Sequence, residues 1–352
     1  MVHIGCFVSP HGFGHATRTA AVLEALGKHL DFTAHIFSTV GEEIFAQTLT
    51  NFTYHHQLTD IGFIQDDAFH LDMQATCAEL EALLPYREDL IDNLAAMCRK
   101  CSFLLCDISG LGIQVGKRTG IPSVLIENFT WDWLYAFYTR SHPKLGFFKD
   151  YLAETFLSAD FHIQTEPLCA PVAADLHCGP IFRKTRGDLD KLREELGGGL
   201  RTMVLVTLGG IGYTPDFLNE LQKYDSFFFV FGGQQLEHRK GKNVLLLDRS
   251  AKYYHPDLIG CADIVVFKSG YSTLAECYQC GTSSLCIQRD FAESKALERF
   301  AEKEMGSTII SQNEFLSGKW PALLTREVQG GKAAVRNGAD EVAEFLLGRL
   351  RL

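Results

Sequence analysis

The sequence predicts an α/β protein with two doubly wound domains, each a parallel sheet covered by helices on both faces. Three observations support this prediction. Short apolar runs alternate with helical patterns through both halves of the chain, as in successive strand–helix–strand units. The 352 residues are too many for one core of ordinary size. Glycine-rich turns follow apolar runs in both halves, which is typical of places where parallel strands lead into helices.

The first half alternates between the two kinds of element, with one long amphipathic stretch that Pro85 is expected to break. An aromatic segment, 129–148, precedes its last strand. We predict strands at 4–8, 32–38, 52–56, 102–106, 123–126 and 161–164, and helices at 20–29, 42–49, 74–99 and 111–119.

The second half repeats the alternation and is separated from the first by 166–186, a segment with three prolines and no clear period. We therefore predict an N-terminal domain at 1–165, a C-terminal domain at 180–338 and a last helix within 339–352 that suits either domain. The strands of the second half are predicted at 203–208, 227–231, 244–247, 264–267 and 284–287, and the helices at 215–222, 271–280 and 292–303.

The composition narrows the classes of partner and the compartment. A net charge of −10 argues against nucleic acid and anionic membranes as partners. The N-terminal apolar run is too short for a signal peptide, and no stretch suits an integral membrane segment. Eleven scattered cysteines favour reduced thiols and a cytoplasmic location.

The turn after the first predicted strand holds two histidines and two glycines close together: His11, Gly12, Gly14 and His15. In doubly wound folds such a turn lies at the carboxyl edge of the sheet, where ligands bind. Small residues let a ligand approach the backbone, and an imidazole exchanges protons near neutral pH. The alternative is a tight turn with a surface histidine.

A second turn follows the predicted strand 264–267 and opens a helix. The first amides of that helix and its dipole suit a phosphate group. Glycine allows close approach, the hydroxyls and the lysine add donors, and Glu276 is spaced to accept from two ribose hydroxyls. The alternative is an ordinary helix capped by Ser269 or Ser272. The residues predicted to form this phosphate and ribose site are Lys268, Ser269, Gly270, Ser272, Thr273 and Glu276.

Two further segments of the second half are candidates for the same crevice. Gly209 and Gly210 follow its first strand, in a turn that is neither a dinucleotide nor a Walker fingerprint. Asp290 and Glu293 stand at the start of the predicted helix 292–303, where they either hold sugar hydroxyls or favour the helix dipole.

Metal binding is the less favoured interpretation of two other patterns. Cys98/Cys101 and Cys277/Cys280 each have the spacing of half a zinc site, but they lie in different halves of the chain on predicted helices. Asp188 and Asp190 open a predicted helix, so capping is favoured over metal binding. We therefore predict no bound metal.

The two-domain layout, the His11–Arg18 segment, the segment 128–133 and the turn 270–276 together resemble GT-B glycosyltransferases. These have two Rossmann-like doubly wound domains facing across a cleft and use nucleotide-sugar donors. The similarity is strongest to the glycosyltransferase-like N-terminal region of plant L-arabinokinases. It is weaker to peptidoglycan GlcNAc transferases and UDP-glycosyltransferases.

This resemblance implies a role for each matching position. His15 is the general base and Asp107 orients it, with His11 as the rival base. Gly14 and the turn at 268–276 hold the donor, whose nucleotide is UDP by resemblance. Asp290 and Glu293 hold the donor sugar, although relatives commonly carry glutamine at the second residue of this pair.

The resemblance implies inverting transfer to a hydroxyl acceptor, with no metal and no cofactor other than a nucleotide-sugar co-substrate. Asn128 and Trp131, in the aromatic stretch 127–135, are the predicted acceptor contacts, since aromatic faces stack on sugar rings or hydrophobic acceptors. The alternative is that these aromatic residues are core. Two alternative functions remain: a non-catalytic nucleotide-sugar-binding or regulatory protein, and a GT-B epimerase.

Overall fold

A buried apolar run, Val2–Val8, forms an inner strand of the first sheet in this computed structural model. The structure describes residues 2–65, 70–209, 215–235, 239–248, 253–324 and 335–350, with only the backbone at 233–235 and 239–240. These residues divide into two compact units. The first contains 2–65, 70–182 and 336–350, and the second contains the described residues from 183 to 335.

In the first unit, strands alternate with helices as the apolar periodicity predicted. Its elements are β1 (Val2–Val8), α1 (Phe13–Leu26), β2 (Phe32–Ser38), α2 (Glu42–Ala46), β3 (Phe52–His56), β4 (Ile64–Gln65), β5 (Leu71–Asp72), α3 (Met73–Leu83), α4 (Glu88–Cys98), β6 (Phe103–Asp107), α5 (Gly110–Thr119), β7 (Ser123–Glu127), α6 (Trp131–Ala136), α7 (Leu145–Phe156), β8 (Phe161–Thr165) and β9 (Leu176–Cys178).

The second unit follows the same plan. Its described elements are α8 (Leu189–Leu196), β10 (Thr202–Thr207), α9 (Leu218–Leu221), β11 (Phe227–Gln235), β12 (Arg239–Lys240), β13 (Val244–Asp248), α10 (His255–Cys261), β14 (Ile264–Lys268), α11 (Tyr271–Cys280), β15 (Ser283–Ile287), α12 (Ser294–Met305), β16 (Thr308–Ile310), α13 (Gln312–Leu316) and a 3-10 helix, Trp320–Leu323. The last helix, α14 (Gly338–Leu350), belongs to the first unit.

The described strands form one seven-stranded sheet in each unit. The first sheet has the order β3-β2-β1-β6-β7-β8-β9 and is parallel throughout. The second has the order β12-β13-β11-β10-β14-β15-β16, with only the short β12 antiparallel to its neighbour. Chain order reverses beside β1 in the first sheet and beside β10 in the second. The predicted doubly wound α/β fold is therefore confirmed.

The core of the first unit explains where α1 and α14 lie. Ile4 and Cys6 of β1, Ala16 and Ala20 of α1 and Val342 of α14 are all fully buried in one apolar cluster. The sequence did not decide which domain the last helix packs against, and its apolar stripe packs in the core of the first unit. The second unit has a core of its own, in which Phe229 and Val266 are fully buried.

The largest departure from the predicted elements concerns α1, which begins at Phe13 rather than near residue 20. Gly12, with φ 79°, turns the chain immediately before it, and the buried Ala16–Ala20 face continues the helix from there. His15 therefore lies in the first helical turn, not in a loop.

Several other elements differ from the prediction, and α6, α10, α13, β4, β5, β12 and β16 were not predicted at all. Helix α7 was not predicted, because its apolar residues were assigned to the aromatic segment. Strand β9 lies inside the predicted linker and is too short to show an alternating pattern. The described part of the predicted helix 215–222 is helical only over α9.

Candidate active site

Both sequence-predicted turns lie where the chain order of a sheet reverses. His15 follows β1 and Asp107 ends β6, and these two strands pair with Val8 opposite Asp107. Gly209 follows β10 and Lys268 ends β14, and these strands also pair. In open α/β sheets, ligands bind at the carboxyl ends of the strands at such a switch point. Each unit thus brings its candidate residues to the edge where a ligand is expected.

In the first unit, the structure brings His15 and Asp107 together. The Nδ1 atom of His15 lies 2.8 Å from Oδ1 of Asp107, and the two residues are 7% and 0% exposed. Burial alone raises the pKa of Asp107, but the charge and hydrogen bonds of Arg18, together with His15, outweigh it and lower the pKa. The carboxylate is therefore ionised and accepts the hydrogen bond from the imidazole.

Arg18 also belongs to this site, and sequence reasoning gave it no role. Its Nε donates to Oδ2 of Asp107 at 2.9 Å, and its Nη2 donates to Oδ1 of the same carboxylate. Its Nη1 donates to Oδ1 of Asn128 at 2.9 Å. The spacing to His15, three residues along one helix, was the signal that could have found it.

The predicted acceptor contacts need correction. Trp131 is 0% exposed and stacks on Tyr135, and Asn128 is buried against Arg18. Neither presents a surface to an acceptor, because the aromatic segment is largely core, as the alternative interpretation held. Both residues instead pack against other residues of the site, Asn128 against Arg18 and Trp131 against His11. His11 is only partly buried, with its ring edge-on to Trp131 at 5.1 Å.

Gly14 lies next to His15 on the open side of α1. A Cβ atom added there would meet no other atom of the chain within 4 Å. The fold itself therefore does not require glycine at this position, and the open space is available to a ligand.

In the second unit, the N-terminus of α11 has no side-chain cap, and Gly270 is its N-cap residue. The interpretation of this turn as a helix capped by Ser269 or Ser272 is therefore wrong. Ser269 and Thr273 are buried, whereas Lys268, Gly270 and Ser272 are partly accessible. The first amides of the helix and its dipole remain available for an anion.

Lys268 and Gly209 lie side by side at this edge. A Cβ atom on Gly209, whose φ is +76°, would come within 3.1 Å of Lys268 Cε. Burial, reinforced by the charge of Arg289, lowers the pKa of Lys268 to about 7, while Glu293 opposes the shift. Gly210, the other predicted glycine, lies outside the described residues.

Of the two predicted sugar-binding carboxylates, only Glu293 interacts electrostatically with Lys268. Burial raises the pKa of Glu293, and its carboxylate lies 4.0 Å from the guanidinium of Arg289. Asp290 is exposed. Helix α12 begins at Ser294, so Glu293 is its N-cap residue rather than lying inside it as the predicted bounds 292–303 had it, and Asp290 precedes the helix as predicted.

Glu276 is 1% exposed, and both of its carboxylate oxygens are hydrogen-bonded. Oε1 accepts from Nε of Arg183 at 3.0 Å, and Oε2 lies 2.7 Å from Nδ1 of His255. His255 Nε2 lies 3.2 Å from the hydroxyl of Thr207. Sequence reasoning missed Arg183 and His255, which come from a predicted linker and from the start of α10.

The structure also bears on the alternatives that concern metal binding and membrane-spanning helices. The side chain of Asp188 caps α8 by accepting from Lys191 N at 3.1 Å, as favoured over metal binding. Within the described ranges, no three His, Cys, Asp or Glu side chains are grouped to hold a metal ion. No helix among the described elements is long and apolar enough to cross a bilayer.

The chain was compared with known proteins. No family model matches it. It is 25% identical to an L-arabinokinase of Arabidopsis thaliana over 365 aligned residues, which cover 97% of this chain and 34% of that protein. The chain thus spans about a third of the length of the curated relative that it matches.

Several solved structures that are similar to the chain are glycosyltransferases. A UDP-glucosyltransferase of Polygonum tinctorium matches with a TM-score of 0.62, 14% identity and coverage of 100% of this chain and 99% of that chain. MurG of Acinetobacter baumannii matches with a TM-score of 0.58 and 14% identity, and the match covers 99% of this chain and 100% of that chain. SsfS6, a glycosyltransferase of Streptomyces sp. SF2575, matches with a TM-score of 0.60 and 15% identity, and the match covers 98% of this chain and 99% of that chain. The chain therefore has the GT-B fold of these enzymes.

Proposed function

We propose that this protein is a glycosyltransferase that moves a sugar from a nucleotide-diphosphate sugar to a hydroxyl acceptor with inversion at the anomeric carbon. The first unit is the acceptor-side domain and carries the base, and the second unit holds the donor. The fold supports sugar transfer as the class of reaction, since the similar solved structures are glycosyltransferases. The reaction itself rests on the site residues.

The observation that carries the proposal is the hydrogen bond of 2.8 Å between His15 Nδ1 and Asp107 Oδ1. A carboxylate on one ring nitrogen fixes the tautomer and leaves the other nitrogen free to take a proton. Because the pair lies at the carboxyl edge of the first sheet, Nε2 is available to a substrate there. Burial lowers the pKa of His15 below the ordinary value near 6.5, so the imidazole is neutral at neutral pH and can accept this proton.

The proposed step conserves atoms and charge. Nε2 of His15 takes the proton of the acceptor hydroxyl, and the oxygen forms a bond to the anomeric carbon. The bond between that carbon and the diphosphate oxygen breaks, and the nucleoside diphosphate leaves with the electron pair. Asp107 stabilises the imidazolium that forms.

The leaving diphosphate is stabilised by the second unit without a metal. The uncapped amides of α11 and the Lys268 ammonium supply donors and positive charge. A diphosphate bound beside Lys268 raises the pKa of the lysine and so charges it. We propose UDP as the nucleotide, because one of the similar enzymes is named as a UDP-glucosyltransferase.

The acceptor is proposed to be a carbohydrate or a small hydrophobic alcohol. We assign acceptor binding to His11 and to the space above Gly14, because Trp131 is fully buried. A cytoplasmic location goes with the proposal, because the cysteines among the described residues are free thiols.

The decisive experiment measures binding and turnover separately. Calorimetry with UDP and a panel of UDP-sugars establishes the donor, and NMR of the products follows hydrolysis, transfer and anomeric configuration. His15→Ala is expected to lower transfer by about 10²–10⁴-fold and to leave UDP affinity near normal. The exposed His29 provides the control variant, His29→Ala, which is expected to change neither quantity.

Other outcomes are equally informative. Binding of a UDP-sugar with no hydrolysis or transfer would favour the non-catalytic binding protein. Conversion of the bound sugar to an isomer without release of UDP would favour an epimerase. Full turnover by His15→Ala would reject the base assignment.

A further inference from the structure

Arg18 is a buried cation that donates two hydrogen bonds to Asp107 and one to Asn128. It is 1% exposed, lies on α1 one turn after His15, and forms two parallel hydrogen bonds to Asp107. Its third bond, to Asn128, holds the guanidinium against β7. The proposed transfer step assigns no task to this charge, although it lies within reach of the base.

The hydrogen atoms around His15 can be assigned from these contacts. His15 Nδ1 has two neighbours, Asp107 Oδ1 at 2.8 Å and Arg18 Nη2 at 3.2 Å. An arginine only donates, and an ionised carboxylate only accepts. A proton on Nδ1 therefore pairs with Asp107, whereas a bare Nδ1 pairs with Arg18 and leaves Nε2 protonated.

The position of Nη2 decides between these two tautomers. Nη2 already donates to Asp107 Oδ1, and the guanidinium is planar, so it turns towards the carboxylate as a fork. The longer contact from Nη2 to Nδ1 is then a by-product of two donors sharing one acceptor. This geometry favours a proton on Nδ1 and a free lone pair on Nε2.

We infer that Arg18 is a positioning residue that holds Asp107 in an ionised, fixed orientation and thereby keeps His15 neutral, with its lone pair on Nε2. This inference rests on the proposed function for its catalytic meaning. Its structural content, the tautomer and charge of one histidine, stands independently of any reaction. Without Arg18, Asp107 would share a proton with His15 and store the base as imidazolium.

The charges that face His15 agree with this inference. Burial lowers the pKa of His15, Asp107 raises it, and Arg18 lowers it again. The Arg18 charge thus opposes the effect that an isolated Asp107 would have on the imidazole.

Other titratable groups near the pair contribute little charge. Burial raises the pKa of Asp60 to about 8, so this acid on the segment after β3 is mostly protonated at pH 7. The thiols of Cys6 on β1, Cys106 on β6 and Cys178 on β9 also have raised pKa values and are neutral. Asp107 and Arg18 are therefore the charges that set the state of His15.

The test is a titration of ¹⁵N-histidine-labelled full-length protein by NMR, with the His15 signals assigned by their loss in His15→Asn. In the wild-type protein we expect the Nδ1–H tautomer and a pKa below 6.5. In Arg18→Gln, which removes the charge, we expect the His15 pKa to rise by about one pH unit or more. In Arg18→Lys, which keeps the charge, we expect it to stay near the wild-type value.

Each outcome bears on the inference. A wild-type His15 protonated on Nε2 overturns it, and so does an unchanged or lower pKa in Arg18→Gln. If Arg18→Gln does not fold, the wild-type tautomer and the Arg18→Lys titration decide.

An activity measurement separates this inference from the proposed function. If the protein transfers sugar, the acid limb of kcat/KM against pH moves upward in Arg18→Gln by the same amount as the His15 pKa. If no UDP-sugar is turned over, the proposed function fails, while the NMR result still decides the role of Arg18.

Discussion

The buried carboxylate of Glu276 accepts a hydrogen bond of 3.0 Å from Nε of Arg183, and this pair repeats in the second unit the pairing of Asp107 with Arg18. A histidine Nδ1 completes each group. Each sheet therefore has an arginine, an ionised carboxylate and an imidazole at its switch point. In the second unit, Nε2 of His255 also lies 3.2 Å from the hydroxyl of Thr207.

The hydrogen bonds of Glu276 limit what it can offer a ribose. A carboxylate has about four acceptor positions. Arg183 Nε and Nη2 both lie 3.0 Å from Oε1, and His255 takes one position on Oε2. One position remains, so we predict contact with a single ribose hydroxyl rather than two. Of 2′-deoxy-UDP and 3′-deoxy-UDP, one should bind about fivefold more weakly because of this contact, and calorimetry measures it.

The matched variant for this prediction is Glu276→Gln, which keeps the shape of the side chain. In this variant, the analogue that binds wild type more weakly should bind with the same affinity as UDP. The affinities are measured at a temperature where the variant is folded. Unpairing Arg183 is expected to lower the free energy of unfolding by about 3–5 kcal/mol. If both analogues bind wild type more weakly than UDP, and both differences vanish in the variant, then Glu276 contacts both hydroxyls.

Gly14 provides a test of ligand approach that is independent of stability. It is the second residue of α1, and a Cβ atom there meets nothing within 4 Å. Gly14→Ala should leave the protein as stable as before or stabilise it by up to about 1 kcal/mol, through helix propensity. It should lower kcat/KM by about tenfold or more, because the methyl group displaces the substrate.

Gly146 is the matched control for Gly14. It is the second residue of α7, and a Cβ atom there also meets nothing within 4 Å. Gly146→Ala should have a similar effect on the melting temperature and no effect on kcat/KM. Equal kinetics for the two variants would place the substrate away from the start of α1.

Lys268 makes donor binding dependent on protons. Its pKa is lowered to about 7, so much of it is neutral at pH 8 in the free protein. A bound diphosphate stabilises the ammonium, and UDP binding should therefore take up protons at pH 8 and weaken as the pH rises above 7. Calorimetry in two buffers with different ionisation enthalpies measures the uptake.

Lys268→Met is the variant that isolates this effect. It should bind UDP about tenfold more weakly or worse at pH 6, since hydrogen bonds to charged groups contribute about 1.5–3 kcal/mol. Its proton uptake at pH 8 should disappear. Uptake that persists in the variant would assign the proton to another group.

The sequence predicted the fold because apolar periodicity is a local signal. Strands β2 and β3 and helix α11 have the predicted bounds. Both switch points also followed from the sequence, since a turn after a parallel strand must lie at the carboxyl edge. Asp107 was predicted through family resemblance, and the structure brings it to His15 across 92 residues of sequence.

The parts of the site that the sequence did not predict depend on contacts between residues far apart in the chain, which no local pattern indicates. Arg183 reaches Glu276 from 93 residues away, out of a segment that the sequence indicated as a linker. The burial of Trp131 was equally invisible, because an aromatic residue in a helix start suits both a core and a binding surface. Tertiary packing decided each case.

Asp60 and Asp107 should respond in opposite ways to the same substitution. Burial raises the pKa of Asp60 to about 8, well above its value near 3.9 in an unfolded chain. The native state therefore holds a proton that the unfolded chain releases, and stability falls as the pH rises from 4 to 8. Asp60→Asn should remove this decline, so the variant gains stability relative to wild type at pH 8.

Asp107→Asn is the contrasting variant. The pKa of Asp107 is lowered, and its loss leaves the buried Arg18 charge unpaired, so we expect a drop of about 3–5 kcal/mol at pH 7. Urea unfolding at several pH values measures both variants. A pH slope in Asp60→Asn equal to that of wild type would contradict the prediction for Asp60.

Three histidines on neighbouring strands of the first sheet give the protein a second, opposite dependence on pH. His3 Nδ1 lies 3.2 Å from His35 Nε2, and His35 Nδ1 lies 3.4 Å from His55 Nε2. Burial lowers the pKa values of His35 and His55, and His55 and His3 lower that of His35 further. The native state therefore favours neutral rings, and stability is lost as the pH falls below about 6.5.

His35→Asn interrupts this ladder and is the test of it. The wild-type protein should lose stability between pH 6.5 and 5 in urea unfolding, and His35→Asn should lose less over the same range. The exposed His29 provides the control, His29→Asn, whose pH slope should match that of wild type. Because the charge of His55 lowers the pKa of His35, His55→Asn should raise the pKa of His35, measured by NMR titration. An unaltered His35 pKa in His55→Asn, together with an unaltered pH slope in His35→Asn, would show that these two rings titrate independently.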